Sequence, residues 1–99
     1  MKWFHIKFSS TDLFGNSDEK FINQFINLVH TLHSPEKLGL YSLKFHQDDG
    51  LTYFASCPVQ FAGELKKVLS YYPAQEVSRP NLNLLNLEIG KNGVLGNQE

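Results

Sequence analysis

Residues 38–57, Leu38-Gly39-Leu40-Tyr41-Ser42-Leu43-Lys44-Phe45-His46-Gln47-Asp48-Asp49-Gly50-Leu51-Thr52-Tyr53-Phe54-Ala55-Ser56-Cys57, decide the fold. Two runs rich in aromatic and aliphatic side chains, 38–47 and 51–57, flank Asp48-Asp49-Gly50, which is the signature of a β-hairpin. A two-residue Asp49-Gly50 turn pairs His46 with Tyr53 and Phe45 with Phe54. A three-residue loop with Gly50 in the left-handed conformation instead pairs Phe45 with Tyr53, Leu43 with Ala55 and Tyr41 with Cys57. The second register separates apolar from polar better and is the expected one. It collects Tyr41, Leu43, Phe45, Leu51, Tyr53, Ala55 and Cys57 on one face, and Ser42, Lys44, His46, Thr52, Phe54 and Ser56 on the other.

A helical pattern lies on each side of the hairpin. Upstream, Asn16-Ser17-Asp18-Glu19 opens a helix with acids in its first turn; Asn16 and Glu19 have capping-box spacing, with Ser17 a competing cap. Phe21, Ile22, Phe25, Leu28, Val29 and Leu32 then form one apolar stripe, and Pro35 ends it. Downstream, Pro58 suits the first turn of a second helix. Its stripe is Phe61, Ala62, Leu65, Val68, Leu69 and Tyr72, with Glu64, Lys66 and Lys67 outside.

Strands close both ends of the pattern. In Lys2-Trp3-Phe4-His5-Ile6-Lys7-Phe8, extended backbone puts Phe4, Ile6 and Phe8 on one face and Trp3, His5 and Lys7 on the other. Residues 73–80 read as a connection with a short extended piece at 76–78, and 82–89 as the last strand. Its alternation slips between Leu84 and Leu85, as a bulge or burial on both faces requires. Residues 90–99 contain three glycines and are expected to be a flexible tail.

The order strand, helix, strand, strand, helix, strand predicts an α+β, ferredoxin-like βαββαβ two-layer sandwich. It has a four-stranded antiparallel sheet with both helices on one face, and a single domain over residues 1–89. A chain of 99 residues closes one core and no more. With 41% hydrophobic residues it has enough apolar surface to fold. The formal charge of -1 supplies no global field for nucleic acid or an anionic membrane. A lone cysteine and no apolar run long enough for a leader or a span point to the cytoplasm, with no membrane partner.

No motif fixes a reaction or a cofactor, and none is expected. His30 and His33 share a helical spacing, yet no nearby acid or cysteine completes a ligand set, and the last turn of a helix favours cations by itself. His5 and His46 would lie about two strand spacings of 4.8 Å apart, too far for shared ligation. Cys57 sits where a strand meets a helix start, which lowers a thiol pKa, but the expected register turns it into the core. Asp48 and Asp49 are explained by the hairpin, and Ser9-Ser10-Thr11-Asp12 lacks a phosphate-loop glycine pattern.

What remains is the helix-free face of the sheet, where Trp3, His5, Lys44, His46 and Phe54 are the candidate binding residues. The expected function is non-catalytic binding of a protein or a small apolar ligand, with the chain a homodimer through this aromatic surface. One alternative is a small dimeric α+β-barrel enzyme with His5 or His46 as acid or base. Another is stacking of single-stranded nucleic acid on Trp3 and Phe54, against which the charge balance argues.

Overall fold

The computed structural model describes residues 1–9, 15–32, 38–44 and 50–89. Strand β1 (Lys2–Ser9) pairs antiparallel along its whole length with β3 (Gly50–Cys57), and on its other side with β4 (Ala74–Val77). β2 (Gly39–Leu43) pairs with β3 and, at its outer edge, with β5 (Leu85–Ile89). The result is a five-stranded antiparallel sheet in the order β4-β1-β3-β2-β5. Helices α1 (Ser17–Leu32) and α2 (Ala62–Leu69) complete an α+β fold, and among the described residues no helix is long and apolar enough to cross a membrane.

Both helices use the stripes read from the sequence. Phe21, Phe25 and Val29 of α1 and Ala62, Leu65 and Leu69 of α2 are buried in one cluster with Phe4, Ile6 and Phe8 of β1. This is what 3.6-residue periodicity laid against 2-residue periodicity produces. Phe8, Phe21, Tyr53 and Tyr72 meet in tilted and edge-on ring contacts inside that core. At the start of α1, Asn16 has φ 60°, a left-handed conformation that Asn tolerates, and its carbonyl accepts the Lys20 N–H. Pro58 caps a short 3-10 turn, 59–61, that leads into α2.

Three expectations need correction. The sheet has five strands rather than four: the fourth is Ala74–Val77, and the segment expected to be fourth is the fifth. The extended piece expected at 76–78 is this strand, placed two residues earlier and paired with β1; it reads weakly in the sequence because it is an edge strand with Gln75 and Glu76 exposed. The slip between Leu84 and Leu85 comes from a 3-10 turn over Leu82–Leu84, so β5 begins only at Leu85. Further along β5 there is a bulge as well: Leu40 faces Ile89 while Tyr41 faces Leu87, which leaves Glu88 as the extra residue. The bulge swings Ile89 into the helix-side core and leaves Leu87 beside Tyr41 on the opposite face. The Ser42 hydroxyl donates to the displaced Glu88 carboxylate.

The third correction is the hairpin register. Tyr41 lies opposite Phe54 rather than Cys57, and Leu40 opposite Ala55. A shift of three positions reverses the parity of β2, so Leu40 enters the core and Tyr41 and Leu43 turn to the helix-free face. The turn residues 45–49, including His46, Asp48 and Asp49, lie outside the described residues, as do His33 and the expected tail 90–99.

Every neighbouring strand pair is antiparallel, so β4 and β5, four steps apart, run parallel at opposite edges. Residues 78–84 must therefore cross the sheet and run back along it, from Val77 beside Trp3 to Leu85 beside Leu43. Four strand spacings sideways and about four residues lengthwise make a diagonal of roughly 23 Å. Five extended links and a 3-10 turn span about the same distance. The connection is a nearly taut strap.

Candidate functional site

Strand parity builds the helix-free face. β1 contributes Trp3 and His5, β3 contributes Phe54 and Ser56 directly opposite them, and β2 adds Gly39 and Tyr41 in the next row. β4 sets Val77 beside Trp3 and Gln75 beside His5. The rings meet in two pairs. Trp3 and Tyr41 have centroids 5.5 Å apart at 37°, and His5 and Phe54 have centroids 5.0 Å apart at 41°. Both are tilted arrangements that suit the ring quadrupoles.

Gly39 makes the first pair possible. A Cβ there would lie 2.8 Å from Tyr41 Cε1, 3.0 Å from its hydroxyl and 3.2 Å from Ser56 Oγ. The tyrosine ring therefore lies back across the space a side chain would fill, and this leans it toward Trp3, two strands away on β1. The glycine is required by this close approach.

The strap crosses over these rings. Ser78, Arg79 and Leu82 line a cleft of about 800 Å³ whose floor is Trp3, Tyr41 and Ser56. Val77 closes one side, and the exposed apolar side chains of Met1 and Val59 stand at its end. Trp3 is only 7% exposed and Ser56 2%, so the floor is enclosed although the cleft is open. The sheet face is roofed at this end by the chain itself.

The charges at the cleft divide unequally. Lys2 Nζ lies 3.0 Å from Glu76 Oε2, and Lys66 approaches the other oxygen of the same carboxylate at 4.0 Å. Arg79, the chain's one arginine, forms no ion pair among the described residues. Among the described residues the cleft thus holds a neutralised Lys2–Glu76 pair and, as its side-chain cation without an acidic partner, the Arg79 guanidinium. Beside it, burial and then the Lys7 ammonium hold the His5 imidazole below its ordinary pKa, which keeps it neutral near pH 7.

Of the five residues expected here, the structure brings Trp3, His5 and Phe54 together. Lys44 lies past the end of β2, exposed and out of step with Tyr41 and Leu43; its backbone N–H donates to the Leu84 carbonyl. His46 falls outside the described residues. The Cys57 thiol is fully buried in the helix-side core, and burial pushes its pKa up, away from a reactive thiolate. His30 is exposed in the last turn of α1.

Sequence reasoning passed over Tyr41, Ser56, Arg79 and Leu82. The adjacency of Gly39 to Leu40-Tyr41 within a strand was the available signal for the first, since glycine in a strand marks close approach. Nothing local marks the strap. Comparison with protein-family models, curated proteins and solved structures finds no match to this chain.

Proposed function

We propose that this chain is a non-catalytic binding domain of ferredoxin-like design, β1α1β2β3α2β4 with β5 added beside β2, that holds a small ligand on the helix-free face of its sheet. The cleft between the strap and the Trp3–Tyr41 floor carries this reading. Its volume of about 800 Å³ lies within the roughly 300–1,000 Å³ usual for small-molecule sites. Its lining combines two rings and four aliphatic side chains with five polar or charged residues. The lone buried cysteine supports a reducing compartment, and the cytoplasm is the proposed location.

The test is a fragment screen by 1H–15N correlation NMR, in which the single Trp3 indole N–H reports directly on the floor. Compounds that bind should shift that resonance together with the amides of Tyr41, Ser56 and Arg79. A diverse panel that leaves all four unmoved would overturn the reading.

A homodimer through the same face is a second reading, supported by a different row of residues. Phe54, Tyr41 and Leu87 stand side by side across β3, β2 and β5, each half-buried. This row, rather than Trp3, is the apolar surface a second sheet would cover. Light scattering that returns 11.3 kDa across concentrations would exclude the dimer. A dimer that survives Phe54→Glu with Leu87→Glu would remove the proposed interface.

A further inference from the structure

We infer that the cleft selects a flat, conjugated ligand carrying one anionic group, such as an aromatic carboxylate, with Arg79 as the residue that reads the charge. The inference rests on the ligand-binding reading above and adds the chemistry of the occupant. Three features of the cleft lead to it, and each concerns a different part of the ligand.

The first is shape. Trp3 and Tyr41 present their rings at 37° with centroids 5.5 Å apart, and Gly39 keeps the tyrosine lying flat across the strand. Leu82 of the strap and Val77 line the same cleft, so its apolar part is bounded by rings and branched chains. A planar body gains stacking and dispersion on the half-buried Tyr41 ring that a puckered ring of equal volume does not. The second is charge. Lys2 is satisfied by Glu76 at 3.0 Å, so Arg79 is the side-chain cation at the cleft that has no carboxylate partner among the described residues. A guanidinium presents paired N–H donors that match a carboxylate two for two. The third is the hydroxyls. Ser56 lines the floor although its residue is almost entirely enclosed, and Ser78 lines the strap side. Both donate to an anionic oxygen as readily as they accept, so they leave the sign of the ligand to Arg79.

The experiment titrates the whole chain with three probes, following the Trp3 indole and the Tyr41, Ser56 and Arg79 amides by NMR. 2-Naphthoate carries the full set of features, 2-naphthamide removes the charge, and decahydronaphthalene-2-carboxylate keeps the ten-carbon frame and the charge but removes the planarity. 2-Naphthoate should bind about fivefold more tightly than 2-naphthamide, the upper end for a partly exposed ion pair. The decahydro acid should bind more weakly than 2-naphthoate although its carbon frame is the same. Arg79→Gln, at an exposed position whose loss leaves the core untouched, should bring the acid and the amide to equal affinity. Lys20→Gln makes the same charge change on α1, in the opposite layer, and should leave the preference intact. Tyr41→Leu should weaken both naphthyl probes together.

Equal binding of acid and amide to the unaltered protein would overturn the inference. So would a preference that survives Arg79→Gln or disappears with Lys20→Gln, or a saturated carboxylate that binds as well as the flat one. If neither naphthyl probe binds while neutral fragments move the same four resonances, the inference falls and the ligand-binding reading stands. If no compound moves them, both fall.

Discussion

Changing glycine to alanine at two positions should move stability in opposite directions, and the difference isolates the contact that shapes the cleft. At Gly63, in the first turn of α2, an added Cβ meets nothing within 4 Å. Gly63→Ala should therefore stabilise the protein by about 0.5–1 kcal/mol, from reduced freedom of the unfolded chain and better helix propensity. Gly39→Ala receives a similar unfolded-state gain of about 0.4–1 kcal/mol. Against it, the new Cβ would stand 2.8 Å from Tyr41 Cε1, a separation that forces the ring to move. Driving the ring off its rotamer costs about 0.5–1.5 kcal/mol. Losing its contact with Trp3 costs about as much again. The net for Gly39→Ala is then a loss of about 1 kcal/mol, and the two variants should differ by about 2 kcal/mol, or roughly 8–16 °C in Tm for a domain of this size. Urea titration with equal slopes measures the difference directly. Trp3 emission supplies an independent reading, since only the Gly39 variant should shift it. If Gly39→Ala were as stable as Gly63→Ala with unchanged Trp3 emission, the tyrosine would not lie across Gly39 and the floor of the cleft would be drawn wrongly.

Adjacent leucines provide a second contrast: Leu85 is 1% exposed and Leu84 51%, so Leu85→Ala should cost about 3 kcal/mol and Leu84→Ala under about 1 in urea unfolding. Similar losses at both sites would remove the 3-10 turn that separates their environments. His5 gives a pH dependence. Its pKa is lowered on folding from 6.5, so between 6.5 and the folded value the unfolded chain binds more protons. Its contribution to stability is intact above 6.5, declines as pH falls through that interval and levels off below it. Lys7→Ala should raise the His5 pKa seen by NMR titration, and an unchanged value would leave burial as the sole cause. Cys57 should react with a thiol reagent at pH 8 only as the protein opens, with a rate that rises with urea, whereas native reaction at the rate of a free thiol would contradict its burial.

The helices and β1 were legible because each carries a period that one face must bury. Phe21, Phe25 and Val29 recur as a helix demands, and Phe4, Ile6 and Phe8 as a strand demands. β4 carries no such record, because an edge strand of four residues with two exposed side chains has little reason to alternate. The register of β2 was illegible for another reason. Tyr41 and Leu43 are as apolar as Leu40, so the alternation test works only when one face is polar, and here the second face holds rings of its own. Reading the helix-free face as polar put Lys44 and His46 there. The parity that holds for β2 puts Tyr41 there in place of Lys44, and with it part of the floor of the cleft.

The strap follows from handedness rather than from its own residues. β1 and β2 are parallel and joined by α1 on one face, and β3 and β4 are parallel and joined by α2 on that same face, moving in the opposite direction along oppositely directed strands. These two crossovers consequently share one hand. A link from β4 to β5 reverses the sideways direction of the β3-to-β4 crossover while keeping its strand direction, so it preserves the hand only by passing over the other face. The helix-free face was therefore bound to receive residues 78–84 once β5 paired with the far edge of β2. Trp3 lies beneath the point where that segment leaves β4, beside Val77. An indole on a bare sheet face would be a liability, but under a strap it is a floor. The open cleft that remains between Trp3 and Arg79 exists because a nearly taut chain must bridge the sheet with short side chains such as Ser78 and cannot settle into every groove below it.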